Sequence, residues 1–251
     1  MSKQHFIQYL LHLADNGLIL GQRLGEWCGH GPVLEQDIAL TNIALDLIGQ
    51  ARLMYQYAAD LQGDGATEDT LAYLRTERAY RNVLLVEQPN GNFGDTIMRQ
   101  FLFDVYNFLN YEALKGSADE RLAAIATKSL KEVRYHLRFS SEWVIRLGDG
   151  TEVSRDKMLA ARDTLWRFTG ELYTPSEIER EMIGLGIAPD WSSMADTWKA
   201  RVKEVFSEAT IPVPEDGWMH TGGKDGHHTE HLGYLLTDLQ YLQRTYPEAQ
   251  W

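Results

Sequence analysis

Apolar residues recur along this chain at helical rather than strand spacing, and in three long stretches polar side chains interrupt the stripe. One stretch carries Leu40, Ile43, Leu47, Gln50, Met54, Tyr57 and Leu61, and a second carries Ile97, Phe101, Asp104, Phe108 and Tyr111. A third reads Leu122, Ala126, Ser129, Val133, His136, Ser140, Trp143 and Leu147. Helical bundles that hold two metal ions place Glu-x-x-His on each of two helices and a single carboxylate on each of the other two. Here the i, i+3 pairs are Leu47 with Gln50 and Val133 with His136. The stripes therefore predict a metal-oxygenase type of bundle that has lost its metal, and hence a chain that works beside a partner subunit.

Helix is expected to follow helix. Residues 4–24 form an amphipathic helix with Gly17, Gly21 and Gly25 on one side, small enough for a second helix to approach closely. The turn Cys28-Gly29-His30-Gly31-Pro32 ends it, and the second helix runs to about residue 61. A third apolar-periodic stretch covers residues 71–86, followed by the turn Glu87-Gln88-Pro89-Asn90-Gly91-Asn92. Further helices are predicted at about residues 93–114, 118–147, 157–172, 196–209 and 231–244, with a polar connector before residue 196. No β-alternation, repeat or low-complexity segment appears. The expected fold is all-α: one domain over residues 1–251, with a core bundle at about 4–147 and a C-terminal helical extension at about 154–251.

Composition narrows the class. Hydrophobic residues make up 44% of the 251, yet no uninterrupted apolar run reaches the length needed to span a bilayer, and the apolar N-terminal patch is broken by polar residues. It reads as a core helix, so no membrane contact is expected. A single cysteine, Cys28, allows no internal disulfide and fits a reducing cytoplasm. A buried, unreactive thiol is expected there, because His30 nearby in sequence does not by itself make a nucleophilic pair. The net charge of −12 argues against nucleic-acid binding, which depends on neutralising phosphates.

Gln50, Asp104 and His136 are expected to satisfy one another by hydrogen bonds inside the bundle, where an unpaired polar group is costly. Holding a single weakly bound ion is the competing use of these three donors, and it would make the chain an independent metal-dependent oxygenase or oxidase. Lys131, Glu132, Arg134 and Arg138 read as a solvated helix face that could serve as an interface. In Thr221-Gly222-Gly223-Lys224-Asp225-Gly226-His227-His228-Thr229-Glu230-His231, the loop is expected to cap the last helix. His227, His228 and His231 could instead collect a stray metal, and the glycines with Lys224 a phosphate, although Walker spacing is absent. The tryptophans, from Trp27 to Trp251, are expected as core or interface anchors.

The segments LGEWCGHGPVLEQDIALTNIALDLIGQAR, VLLVEQPNGNF, LKEVRYHLRFSSEW and TGGKDGHHTEHLG resemble the C subunits of bacterial phenylacetyl-coenzyme A epoxidases, and the likeness runs from the first helix to the terminal tryptophan. It implies a ferritin-like helical bundle related to a catalytic A subunit that carries a di-iron centre. By that relation the two Glu-x-x-His motifs fall on Leu47/Gln50 and Val133/His136, and the single carboxylates near Leu18 and on Asp104. The implied role is non-catalytic: a structural subunit with no cofactor or metal of its own, stabilising the A subunit in aerobic phenylacetate catabolism. Phenylacetyl-CoA would be bound mainly by the A subunit, a small B subunit would complete the complex, and a reductase E subunit with FAD and an iron–sulfur centre would bring electrons from NADPH. The reaction implied is insertion of one oxygen atom of dioxygen into the aromatic ring to give a 1,2-epoxide. Lys131, Arg134 and Lys224 are then candidates for contact with the partner or with coenzyme A.

Overall fold

The computed structural model describes residues 2–215 and 217–249, and among them nine α-helices follow one another with no strand. They are α1 Lys3–Gly25, α2 Leu34–Gln62, α3 Glu68–Tyr73, α4 Phe93–Leu114, α5 Glu120–Gly148, α6 Glu152–Leu165, α7 Glu177–Gly184, α8 Trp191–Glu208 and α9 Glu230–Thr245. The fold class is the expected one, all-α and ferritin-like, with further helices after the two long pairs. Among the described residues no helix is long and apolar enough to cross a membrane. The chain forms two compact units, Met1–Gln88 with Thr221–Trp251 and Pro89–His220. The predicted C-terminal extension is thus divided: α6 to α8 join α4 and α5, while α9 joins α1 to α3.

In the first unit α1 and α2 run antiparallel at close range. A Cβ on Gly17 would stand 3.0 Å from the Leu47 carbonyl oxygen, and one on Gly21 would stand 3.1 Å from that of Ala44. Gly25, at the end of the same row, meets nothing within 4 Å, so only two of the three glycines serve the approach. The helix expected over residues 71–86 does not form. α3 stops at Tyr73, a 3-10 turn covers Glu77–Ala79, and the chain then runs irregularly although Tyr80, Val83, Leu84, Leu85 and Val86 are buried. Side chains of α1 replace the missing helical hydrogen bonds: Asp15 accepts from Arg81 N at 2.7 Å, Asn16 accepts from Val83 N at 2.8 Å, and His12 Nδ1 donates to Arg81 O at 2.7 Å. α9 closes this segment, with Gln240 Nε2 donating to the carbonyls of Ala72 and Arg75 at 3.2 and 3.1 Å.

The second unit is built on the antiparallel pair α4 and α5. Asn92 and Asp95 form a capping box that starts α4 at Phe93, where the sequence predicts it. Trp166, Trp191 and Trp198 are buried, and the Trp198 indole N–H donates to Leu102 O at 3.2 Å. Trp218 is exposed instead, and Trp251 lies outside the described residues. α6 starts at Glu152 behind a Thr151 cap and gives way to 3-10 turns at Trp166, so the helix predicted over residues 157–172 is shifted toward the N-terminus. α7 occupies the stretch expected to be a polar connector, started by the Ser176/Glu179 capping box, and α8 begins at Trp191 behind Asp190. Cys28 lies exposed in the turn after α1, against the expectation of a buried thiol, because that turn leaves the helix pair; the His30 ring meets the Cys28 carbonyl oxygen at 3.1 Å.

Candidate functional site

The polar interruptions of α4 and α5 meet inside the second unit. Asp104 is fully buried, and its two oxygens accept from Gln100 Nε2 at 2.7 Å and Ser140 Oγ at 2.8 Å. These partners are a residue one helical turn back and a serine across the helix pair. Burial pushes the Asp104 carboxyl up to about 7, opposed by the charge of His136 and by the Ser140 and Gln100 hydrogen bonds. His136 and Val133 stand beside it on α5, both fully buried. In the first unit Leu47 and Gln50 are buried on α2. Leu18 lines a cleft of about 240 Å³ with Ile48, Ala51, Tyr55 and the α3 residues Asp69, Ala72 and Tyr73.

A pair of iron ions needs anionic oxygens that neutralise and bridge the metals. Leu47 and Val133 offer none, and the one carboxylate, Asp104, already holds two donors. The residues do not fit a di-iron centre. Among the described residues no three His, Cys, Asp or Glu side chains gather closely enough to hold a metal ion.

The raised Asp104 pKa has a sign that can be tested. The folded state keeps a proton that the unfolded chain, at the ordinary value of 3.8, releases, so stability falls as pH rises from about 4 toward 7. Asp104→Asn should remove that slope and, at pH above 7, be more stable than the parent by up to about 4 kcal/mol. Urea unfolding on both sides of this window measures it. A variant that keeps the parental slope would assign the titration to another group.

The C-terminal motif folds into a second buried polar centre. Glu87, fully buried, accepts from Asn82 Nδ2 at 2.8 Å, Thr229 N at 2.7 Å and Thr229 Oγ1 at 2.7 Å, and meets His228 Nδ1 at 2.9 Å. The other His228 nitrogen faces Tyr80 O at 3.1 Å. Both ring nitrogens meet acceptors, which calls for the doubly protonated imidazolium. The pKa agrees: burial lowers it, but the Glu87 hydrogen bond and charge outweigh burial and raise it above 6.5. His228 is thus committed to Glu87 rather than to a metal with His227 and His231. Thr229 of this loop is the N-cap residue of α9, its hydroxyl turned to Glu87 rather than to the first turn of the helix, and the glycines serve contact: a Cβ on Gly223 would stand 2.3 Å from Asn82 O.

Beside it Asp15, also fully buried, accepts from Tyr55 Oη at 2.6 Å, Arg75 Nη1 at 3.0 Å and Nη2, and Arg81 N. The Arg75 guanidinium also lies over the Tyr80 ring, 4.2 Å from its centroid. Sequence reasoning missed Asp15, Arg75 and Glu87, as well as Gln100 and Ser140. Only Gln100 carries a local signal, its i, i+4 spacing to Asp104.

The three candidate contact cations separate. Lys131 is exposed; Arg134 is exposed and pairs with Glu112 at 3.0 Å; Lys224 is buried in the 3-10 turn Gly223–Asp225 pressed onto residues 82–84, so it is no surface contact.

Comparison with known proteins matches residues 1–251 to the sequence model of a family described as phenylacetic acid catabolic protein. A curated relative, the C subunit of the 1,2-phenylacetyl-CoA epoxidase of Escherichia coli (strain K12), is 54% identical over 243 residues, covering 97% of this chain and 98% of the relative.

Proposed function

This chain belongs to the phenylacetic acid catabolic protein family, and from that premise we propose that it is a non-catalytic structural subunit of a multicomponent phenylacetyl-CoA 1,2-epoxidase. The observation that carries the reading is the burial of the aliphatic pair Leu47 and Val133, at positions that the family resemblance implies are bridging carboxylates in the catalytic subunit. Oxygen activation needs a redox metal or an organic cofactor, which side chains alone do not replace. The di-iron centre is assigned to a catalytic A subunit, and the FAD, iron–sulfur centre and NADPH oxidation to an E reductase, with a small B subunit as the remaining member of a cytoplasmic complex. This chain's own residues hold shape: Asp104, Gln100 and Ser140 tie α4 to α5, and Glu87 and Asp15 lock the first unit.

Association has a surface to use. Leu34, Ile38, Leu45 and Ile48 recur at steps of four, seven and three residues on α2 and are all exposed, Leu45 at 62%. A helix already covered on its inner side gains nothing alone from a second apolar stripe, whereas burial against another subunit removes it from water.

The expected result is that the chain purified alone contains no iron and does not turn over phenylacetyl-CoA, while adding it to the A, B and reductase subunits restores turnover. Leu45→Asp should leave the thermal melt unchanged and release the A subunit in gel filtration. If His136→Ala abolished turnover in a complex with intact assembly and intact iron in the A subunit, this chain would contribute chemistry and the structural reading would fall.

A further inference from the structure

We propose that the outer side of α5 is a docking surface for an acidic face of a neighbouring protein subunit. The inference rests on the subunit reading above and adds a second surface, on the other unit from the α2 stripe.

Tyr135, Phe139 and Trp143 follow one another at i, i+4 and i+8, with ring centroids 6.3 and 6.5 Å apart. The Trp143 indole is anchored edge-to-face against Phe93 at 5.3 Å. Cations bracket this ladder: the Arg138 guanidinium lies 5.6 Å from the Tyr135 centroid and that of Arg146 lies 5.4 Å from Trp143. The ladder is not sealed from water, since Tyr135 is 40% exposed, and Arg146 keeps 63% of its side chain exposed.

Three physical points favour a protein occupant. Aromatic and arginine side chains dominate the binding energy of protein interfaces, and here they alternate along one helix. Stacking on rings also restrains the guanidinium groups before any partner arrives, which reduces the side-chain entropy lost on docking. The charge is local and opposed to the total: residues 128–146 carry five Lys and Arg against two Glu, a net +3 within a chain of −12. Two of these cations have acidic neighbours, Arg134 with Glu112 at 3.0 Å and Arg146 with the exposed Glu142 at 3.8 Å, a long surface pair that a partner's carboxylate can replace, and the surplus rests on Lys128, Lys131 and Arg138. A carboxylate-bearing surface matches this one, the acids meeting Arg138 and Arg146 while apolar atoms cover the rings. Nucleic acid is disfavoured, because the remainder of the chain repels phosphates.

The test uses the full chain co-expressed with its A, B and reductase subunits, with the affinity of each measured across a salt series. Arg138→Glu with Arg146→Glu should weaken one subunit by about tenfold or more at low salt and flatten its salt dependence. The melt and the remaining subunits should be unaffected, and Lys203→Glu, an exposed reversal on α8, should change nothing. Should the double reversal impair folding, Arg138→Gln with Arg146→Gln carries the same expectation at smaller amplitude. Wild-type affinity and salt slope for every subunit in these variants overturns the proposal, as does an effect confined to self-association of this chain. A wild-type chain that binds no subunit removes the subunit reading and this surface with it.

Discussion

Glu87→Ala lowers the stability of the chain by about 3–5 kcal/mol, as expected when one member of a buried, hydrogen-bonded charge pair is removed. Four donor groups converge on this carboxylate, two of them from Thr229, and the methyl group that would replace it offers no acceptor to any of them. The His228 imidazolium would be left buried and uncompensated. Urea unfolding gives the magnitude, and limited proteolysis should show the segment before α9 becoming the first site of cleavage. Glu87→Gln separates charge from hydrogen bonding. Because the folded His228 pKa is raised above 6.5, the stabilisation is fully present below 6.5 and is lost as pH rises through the folded value. The gap between the parent and Glu87→Gln should therefore narrow in alkaline buffer. An undiminished gap would mean that His228 is neutral and that the ion pair does not exist.

Asp15→Ala should cost a similar amount, about 3–5 kcal/mol, because the Arg75 guanidinium is left almost wholly buried beside Tyr55. Burial would lower the Arg75 pKa, but Asp15 overrides it and raises it, so the arginine has no neutral form to retreat to. Tyr55→Phe removes two hydrogen bonds, the one donated to Asp15 and the one accepted from Arg75, and should cost about 1–3 kcal/mol. The informative variant is the double replacement Asp15→Leu with Arg75→Met, which should recover part of the loss, since a buried pair exchanged for apolar groups of similar volume is often near neutral while Tyr55 Oη and Arg81 N still lose their acceptor. Additive losses in that cycle would contradict a coupled pair.

The long helices are legible in the sequence because their apolar faces repeat every turn and their ends carry caps: Asn92 with Asp95 announces α4, and Asp119 announces α5. α7 is equally legible from its cap, since Ser176-x-x-Glu179 is a capping-box spelling, although the polar composition around it suggests a connector. Residues 80–86 are different. Val83 to Val86 form a continuous apolar run, which fits a buried helix or a buried strap equally well, and the deciding hydrogen bonds come from Asp15 and Asn16 more than sixty positions earlier. The candidate site divides in the same way. Leu47 and Val133 are singled out by the apolar stripes together with the family resemblance, whereas the pairing of Asp104 with Ser140 depends on the register of two helices, and the bond from His228 to Glu87 spans 141 positions.

One unit is a single stretch of chain, Pro89–His220, and the other is assembled from both ends. The order of synthesis then matters. Residues 89–220 leave the ribosome with every neighbour their unit needs, and that unit can condense while translation continues. The first 88 residues must wait: until the closing segment emerges, Glu87 lacks His228 and Thr229, and the Ala72 carbonyl lacks Gln240. A nascent chain therefore presents α5 in finished form before α1, α2 and the buried strap are locked. Arrest of translation ahead of residue 221 leaves a molecule half folded and half waiting, with the waiting half open to proteases and chaperones.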